Sequence, residues 1–292
     1  MKKRVFKRPK VIAEIGCNHK GDFDIAKELI RIAKDCGASV AKFQKRNPKT
    51  LLSEQQYNSP HLFPHNSYGS SYGEHRDFLE FSQEQHSELK KYCESKSIIY
   101  ATSVWDVVSA KEIVELNPLY IKVPSAQNTN FKLLQILRDD YKGDVHVSLG
   151  MTSRKEEGEL VEFFQKTGDA KDRLILYSCT SGYPVPFEDI NLLEIERLRN
   201  SYNALVKDIG FSGHHLGISA DIAAYTLDCG WIERHFTKDR TWRGTDHAAS
   251  FEPQGLKKLI RDLNAVHKAL KYKKKEILDV EMPQRKKLKY AK

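Results

Sequence analysis

Residues 11–44 of the chain read VIAEIGCNHKGDFDIAKELIRIAKDCGASVAKFQ, which predicts a strand, a helix and a second strand in succession. The β-branched runs at 11–16 and 39–44 are typical of buried parallel strands. Between them, residues 24–37 repeat apolar side chains at helical spacing and end at Gly37, a residue that commonly terminates helices. The apolar face of this predicted helix consists of Ile25, Leu29, Ile32 and Ala33.

The same alternation of short β-branched runs and amphipathic stretches continues along the chain. Eight such units predict an α/β protein with a (β/α)₈ TIM barrel rather than an open doubly wound sheet. No glycine-rich nucleotide-binding motif follows the first strand, which also disfavours the open sheet. The other six strand candidates are IIYATS (98–103), LYIKVPS (119–125), DVHVSLG (144–150), RLILYSC (173–179), DIGFSGH (208–214) and WIERHFT (231–237).

Three further stretches, 82–96, 152–168 and 253–270, have helical periodicity, and the first opens with Ser82 and Gln85 in the spacing of a capping box. Residues 45–81 interrupt the alternation as a long polar insertion after the second strand. Long insertions of this kind are commonly functional or disordered. Its position after a strand places it at the rim where barrel active sites lie.

Composition excludes several classes of protein. The chain has 292 residues, a net charge of +9 and five scattered cysteines. No CxxC pair occurs, so neither a disulfide framework nor a zinc-thiolate site is expected. No apolar run is long enough to span a membrane, and the basic N-terminus lacks the pattern of a signal peptide, so we expect a cytoplasmic protein without a membrane partner.

The positive charge is concentrated at the two ends of the chain. We predict a basic N-terminal segment at 1–10, a catalytic barrel at 11–273 and a basic C-terminal tail at 274–292. Neither end carries a recognisable nucleic-acid-binding motif, so solvated tails are favoured over a nucleic-acid interface.

Polar side chains stand at the ends of nearly all the predicted strands, where barrel enzymes carry their catalytic groups. Lys42 and Lys122 lie inside apolar runs, and burying an ammonium group without a partner is costly. One interpretation is a cage for an anion such as phosphate. A purely structural ring of ion pairs with Glu14 and Glu233 is the alternative, and we favour the cage. The hydroxyl groups able to complete it belong to Thr102, Ser125, Ser181 and Ser212.

His214 and His235 end the last two predicted strands, which are neighbours in a barrel. Their imidazoles are candidate ligands of one divalent cation, with water or substrate oxygen completing the coordination. Spacing alone favours a metal site and general acid–base chemistry equally, and His215 and His247 are rival candidates for either role.

These residues also carry a resemblance that covers nearly the whole chain. The sequence is similar to the sialic acid synthase family of phosphoenolpyruvate-condensing enzymes, and the matching motifs occur in the order typical of that family. The matching motifs are AEIGCNHKGD (13–22), AKFQK (41–45), YGEHRDFLEFS (72–82), IKVPSAQNTN (121–130), SLGMTS (148–153), YSCTSGYPVPFEDINL (177–192), GFSGHHLG (210–217), ERHFTKDRTWRGTDHAAS (233–250) and FEP (251–253).

The resemblance implies a barrel that condenses phosphoenolpyruvate with an open-chain sugar aldehyde and releases phosphate. It implies a divalent metal on His214 and His235, most often Mn²⁺, with Mg²⁺, Co²⁺ or Zn²⁺ as other options. Glu14 is expected near the reacting carbons, where it joins both histidines and Tyr183 as catalytic. Phosphoenolpyruvate-binding positions match Lys42, Thr102, Lys122, Ser125, Ser181 and Ser212, and sugar-facing positions match Gln44, Tyr183 and Asp246.

Family members usually continue into a small antifreeze-like domain that reaches the partner subunit in a swapped dimer. The printed chain stops at EMPQRKKLKYAK, about where the linker to that domain is expected, so we predict that the domain is absent. The domain normally supplies an arginine to the N-acetyl group of the sugar. Both the acyl-sugar specificity and the swapped form of the homodimer are therefore left open by the sequence.

The acceptor half of the site departs from the family pattern. Gln127 stands where many relatives have an acidic residue that faces the sugar hydroxyls. We expect an acceptor like N-acetylmannosamine or its phosphate, giving a nonulosonic acid such as N-acetylneuraminate. Alternatives are a 2-keto-3-deoxy sugar acid synthase acting on an unacylated sugar or a sugar phosphate, and a non-catalytic barrel that binds a partner. Lys45 and Arg46 are candidate contacts for a phosphorylated acceptor or simply exposed loop charges.

Overall fold

In the computed structural model, which describes residues 5–168 and 170–290, parallel strands close into a barrel in chain order, with the last strand paired to the first. Helices follow the strands, so the predicted (β/α)₈ barrel is confirmed. The strands are β1 (Lys10–Gly16), β2 (Val40–Lys45), β3 (Ile99–Val104), β4 (Tyr120–Val123), β5 (Asp144–Ser148), β6 (Leu174–Cys179), β7 (Asp208–Gly213) and β8 (Trp231–His235).

The longer helices surround the barrel and bury one face against it. The first begins after the Asp22 cap and buries Ala26, Leu29, Ile30 and Ala33, while Gly37 follows it with a φ of 92°. The helices are α1 (Phe23–Asp35), α2 (Pro48–Leu51), α3 (Glu54–Asn58), α4 (Tyr72–Leu79), α5 (Gln83–Ser95), α6 (Val107–Leu116), α7 (Phe131–Asp139), α8 (Arg154–Gln165), α9 (Ala170–Arg173), α10 (Glu194–Tyr202), α11 (Ser219–Thr226), α12 (Pro253–Ala269) and α13 (Met282–Leu288).

The insertion after β2 is not a continuous loop. It contains α2, α3 and α4, and Ser53 caps α3 while Ser71 caps α4. The predicted capping box of Ser82 is present at the start of α5. The insertion is therefore folded, and because it follows β2 it lies at the C-terminal rim of the barrel, as its position in the sequence predicts.

The inside of the barrel has two layers of different chemistry. Near the N-terminal ends of the strands lies an aromatic floor, which we define as Tyr120, His146, Tyr177 and Trp231. The His146 ring stacks on that of Tyr120 with centroids 3.8 Å apart, and its Nδ1 lies 2.8 Å from the Tyr177 hydroxyl. Above the floor, the next inward positions are ionisable or polar, because side chains of one strand share a face at every second residue. These positions are Glu14, Lys42, Lys122, Ser212 and Glu233.

The two ends of the chain contribute little to the core. Residues 279–281 form a short 3₁₀ turn before α13, and no residue of α13 is buried. Residues 1–4 of the predicted N-terminal segment and 291–292 of the predicted tail lie outside the described residues. Among the described helices, none has the length and apolar character needed to cross a bilayer.

Candidate active site

A cavity of about 350 Å³ opens at the C-terminal ends of the strands. Its walls come from most of the strands and the loops that follow them, which is the place where barrel enzymes bind their substrates. The cavity brings together most of the residues predicted from sequence. Those that line it are Glu14, Lys42, Gln44, Lys122, Ser125, Ser181, Tyr183, Ser212, His214 and His235.

Lys42 and Lys122 are both paired with carboxylates at the bottom of the cavity. Lys42 Nζ lies 2.6 Å from Glu14 Oε2 and 3.7 Å from Glu233 Oε2, and Lys122 Nζ lies 3.1 Å from Glu233 Oε2. The Lys122 ammonium also stands 3.5 Å from the centroid of the Tyr177 ring. The ion pairs named as the structural alternative thus exist, and they line an open cavity rather than a closed core.

The two carboxyl groups of this network have pKa values shifted in opposite directions. Burial raises the pKa of Glu14, with Lys42 opposing the rise and Glu233 adding to it. Burial alone would also raise the pKa of Glu233, but Lys122 and Lys42 outweigh it and hold that pKa well below its usual range. Glu233 is therefore held as a carboxylate, while the raised pKa of Glu14 makes it the better proton acceptor of the two carboxyl groups.

The lysines differ in the same way. Burial by itself lowers the pKa of Lys42, but Glu14 and Glu233 outweigh it and the pKa lies above its usual value. Burial lowers the pKa of Lys122, and Glu233 offsets the effect only in part. An added anion beside Lys122 would favour its charged form, as expected for a phosphate-binding ammonium.

Two serine hydroxyls lie close to the backbone of Gly150 at one side of the cavity. The Gly150 N–H donates to Ser125 Oγ at 3.0 Å. A Cβ on Gly150 would lie 2.7 Å from Ser125 Oγ and 2.4 Å from Ser181 Oγ, so only glycine permits this approach. On another wall, Ser212 Oγ donates to Glu233 Oε1 at 3.0 Å. Three of the four predicted hydroxyl groups therefore line the cavity that contains the lysines.

The fourth predicted hydroxyl belongs to Thr102, and the prediction that it lies in the cavity is wrong. Its backbone neighbours in the sheet are Phe43 and Ile121, which belong to the core between barrel and helices. The alternation of β3 instead turns Ser103 inward, where its Oγ accepts a hydrogen bond of 2.8 Å from Lys42 Nζ. The signal that identifies Ser103 is the pairing of β3 with β2, because this pairing turns Ser103 to the same side of the sheet as Lys42.

His214 and His235 stand side by side above the ion pairs, with ring centroids 5.5 Å apart. His214 Nδ1 lies 2.9 Å from the Thr180 carbonyl oxygen, which fixes Nδ1 as the protonated nitrogen and leaves Nε2 as a lone-pair donor. His235 Nδ1 is buried without a hydrogen bond and lies 4.0 Å from Asp246 Oδ2. The Tyr183 ring packs against His214 at a centroid distance of 4.3 Å.

The two imidazoles are the side chains of this cavity that could hold a divalent cation, which would need further ligands from oxygen atoms. Within the described residues, no group of three or more histidine, cysteine or acidic side chains forms a complete metal site. The rival histidines are used elsewhere: His215 Nε2 contacts the Arg234 guanidinium at 3.1 Å, and His247 Nδ1 contacts the Thr237 hydroxyl at 2.7 Å.

Two of the predicted sugar-facing residues lie beyond the cavity. Gln127 is half-buried in a 3₁₀ turn, and its Oε1 accepts a hydrogen bond of 3.0 Å from Asn130. Asp246 lines a separate groove of about 800 Å³ under the insertion, together with Arg76, Tyr72 and apolar side chains. Since Asp246 also approaches His235, this groove leads away from the histidines toward the insertion.

Comparisons with known proteins identify the family of this chain. The model of the NeuB family matches residues 29–275, and N-acetylneuraminate-9-phosphate synthase of Homo sapiens is 39% identical over 93% of this chain and 74% of that protein. The chain belongs to the NeuB family. The resemblance identified from the sequence motifs is thereby confirmed.

Other NeuB-family relatives span different nonulosonic acids. N,N'-diacetyllegionaminic acid synthase of Campylobacter jejuni is 33% identical over 90% of this chain and 78% of that protein. A crystal structure of an N-acetylneuraminic acid synthetase from Leptospira borgpetersenii, in complex with citrate, superposes with a TM-score of 0.80 at 29% identity, covering 98% of this chain and 94% of that chain.

In this NeuB-family chain, the insertion charges do not form an exposed patch. Lys45 is buried and its Nζ pairs with Glu112 at 3.2 Å, and Arg46 is 4% exposed and pairs with Glu80 at 3.3 Å. Neither is an exposed loop charge, so that interpretation made from sequence is wrong, while contact with a phosphorylated acceptor stays a prediction. Trp105, which sequence analysis did not single out, lines the cavity instead.

Proposed function

We propose that this protein condenses phosphoenolpyruvate with an open-chain N-acylated hexosamine to form a nonulosonic acid and inorganic phosphate. The observation that carries the proposal is the joining of the Glu14–Lys42–Glu233–Lys122 ion pairs and the His214–His235 pair in one open cavity. Anionic donor and aldehyde acceptor then meet between the two groups. The relatives named for N-acetylneuraminate phosphate and legionaminic acid support this substrate class.

The donor binds at the bottom of the cavity in this proposal. Lys42 and Lys122 bind the phosphate and carboxylate groups of phosphoenolpyruvate, and Ser103, Ser125, Ser181 and Ser212 supply hydroxyl groups around them. When the donor binds, each lysine exchanges part of its contact with a glutamate for contact with the substrate. The negative charge of the donor is therefore balanced, and no unpaired ion is buried.

The acceptor enters above the donor, beside the histidines. His214 and His235 would hold a divalent ion, with Mn²⁺ as our first choice, and such an ion supplies a Lewis acid for the aldehyde oxygen. C3 of phosphoenolpyruvate attacks the aldehyde carbon, and positive charge develops at C2. Glu14 takes a proton from the water that adds to C2, which its raised pKa favours. Glu14 passes this proton to the alkoxide formed from the aldehyde. The C–O bond to phosphate then breaks as the C2 hydroxyl becomes the keto group and gives its proton to the leaving phosphate, and no Schiff-base lysine is needed.

The test is a panel of aldoses incubated with phosphoenolpyruvate and Mn²⁺ or Mg²⁺, followed by phosphate release. Release with N-acylated hexosamines supports the proposal. Release only with unacylated sugars would establish a related 2-keto-3-deoxy sugar acid synthase instead. Calorimetric binding of phosphoenolpyruvate without turnover of any aldose would contradict the synthase proposal, and absence of binding would favour the non-catalytic alternative.

A phosphorylated acceptor is a second candidate, favoured by Arg76 in the groove beside Asp246. Arg76 Nε donates to the Tyr72 hydroxyl at 3.0 Å, and no carboxylate among the described residues forms an ion pair with its guanidinium. A guanidinium available in this way suits a phosphate group. If the acceptor is phosphorylated, Arg76→Ala raises the Michaelis constant for the sugar phosphate and leaves that for the free sugar unchanged. Equal effects on both sugars would contradict this candidate.

A further inference from the structure

Arg46 is buried behind the wall of the cavity and contacts two residues that line it. Its guanidinium donates to Gln44 Oε1, and it stacks on the Trp105 ring at 4.1 Å from the centroid. It also pairs with Glu80 at 3.3 Å and approaches Cys17 Sγ at 3.4 Å. Arg46 itself does not line the cavity, so it acts there through Gln44 and Trp105.

The chain of hydrogen bonds from Arg46 has a fixed direction. A guanidinium has donors only, so the Gln44 atom that meets it must be the amide oxygen. The amide nitrogen of Gln44 is then turned to the other side, where it donates to Glu14 Oε1 at 2.7 Å. Without a donor-only partner, a glutamine amide can rotate and present its oxygen to Glu14, where two acceptors would face each other.

The same contacts determine what Gln44 can offer to a substrate. Its oxygen accepts from Arg46 and also receives the Cys17 thiol at 3.9 Å, which occupies both lone pairs. One of its two N–H groups is used by Glu14. A single N–H donor is left for the cavity.

We propose that Arg46 is a positioning residue that holds the Gln44 amide so that its nitrogen donates both to Glu14 and to an oxygen of the acceptor sugar. This inference rests on the proposed function and deepens it. It assigns the Gln44 position to a hydroxyl or carbonyl oxygen of the acceptor rather than to an N–H group. Arg46 also holds the Trp105 indole against the cavity wall, which fixes the width of the acceptor space.

The test compares the double variant Arg46→Met/Glu80→Gln with the single variant Glu80→Gln. Removing Arg46 alone would leave the buried Glu80 carboxylate without its partner and destabilise the fold, and the double variant avoids this. We expect the double variant to raise the Michaelis constant for the acceptor about tenfold relative to Glu80→Gln, with less than about a twofold change for phosphoenolpyruvate. Equal changes in both constants would overturn the proposal.

A second comparison repeats the Arg46 substitution in a Gln44→Ala background. Since Arg46 acts through Gln44, we expect its effect on the acceptor constant to disappear there, and an undiminished effect would overturn the proposal. Phosphate release by the wild type tests the synthase activity separately. A crystal structure of the double variant needs no turnover: a Gln44 amide still donating to Glu14 would show that Arg46 does not position it.

Discussion

Lys122 Nζ lies 3.2 and 3.1 Å from the two carboxylate oxygens of Glu233, so one buried ammonium bridges a whole carboxylate. Both side chains are almost completely buried. Such a pair contributes to stability only while both charges are present, since either alone is an uncompensated ion in the core. Stability and donor binding are therefore linked at this pair, and they can be separated by mutation.

The first prediction concerns this separation. Lys122→Met should lower the free energy of unfolding by about 3 kcal/mol, because Glu233 loses its main partner. Lys122→Met/Glu233→Gln should recover much of that stability. In both variants the Michaelis constant for phosphoenolpyruvate should rise about tenfold or more, while that for the sugar changes little. Urea unfolding and phosphate-release kinetics measure the two effects, and equal rises for both substrates would contradict the assignment of Lys122 to the donor.

The second prediction uses two adjacent residues of β3 as a matched pair. Ser103 faces Lys42 inside the barrel, whereas Thr102 faces the helices. Ser103→Ala should raise the Michaelis constant for phosphoenolpyruvate about two- to tenfold through loss of one hydrogen bond, and Thr102→Val should change it less than about twofold. The reverse order of effects would show that the threonine, not the serine, serves the donor.

The third prediction concerns the two histidines. His214→Ala and His235→Ala should each reduce metal-dependent phosphate release at least about a hundredfold, because loss of a ligand removes several kcal/mol of charge stabilisation. The circular dichroism spectrum and thermal midpoint should stay close to those of the wild type. His65→Ala, at an exposed position of the insertion, is the control that should retain activity. Wild-type rates in either cavity variant would refute the metal assignment.

The fourth prediction is a loss of stability in acid. Burial lowers the pKa of His86 to about 3, and Lys45 adds to the effect. The unfolded state, with an ordinary histidine pKa near 6.5, therefore binds one more proton between about pH 6.5 and 3, so stability is complete above this range and falls as the pH decreases. His86→Gln should reduce the pH slope of the unfolding free energy by about 1.4 kcal/mol per unit.

Urea unfolding at pH 6, 5 and 4 measures that slope. The exposed His65→Gln variant should behave as the wild type does. Burial also lowers the pKa of His19 to about 3, so a slope should persist in the His86 variant. An unchanged slope in His86→Gln would mean that His86 is not the group that binds the additional proton on unfolding.

Sequence reasoning located the lysines well because an ammonium inside an apolar run needs a partner or a ligand. In the structure, both Lys42 and Lys122 point into the barrel, each two residues after another inward-facing position of its strand. The same period could not choose between Thr102 and Ser103, since the facing of a strand depends on its register with its neighbours.

The insertion was harder to predict for a different reason. Its helices are only four to eight residues long, and helices this short depend on tertiary packing rather than on their own propensity. Arg46 looked like a surface charge because its partners, Glu80 and Trp105, are distant in the sequence. Burial of such a charge is a property of the assembled fold.

The aromatic floor has a consequence for the order in which substrates bind and products leave. In the part of the chain that the structure describes, Tyr120, His146, Tyr177 and Trp231 fill the barrel below the lysines. In the proposed reaction, donor and acceptor therefore enter through the same opening of the cavity. The donor binds at the inner position, so it must bind before the acceptor. Phosphate is liberated behind the newly made sugar acid, so the larger product has to depart before the smaller one can follow.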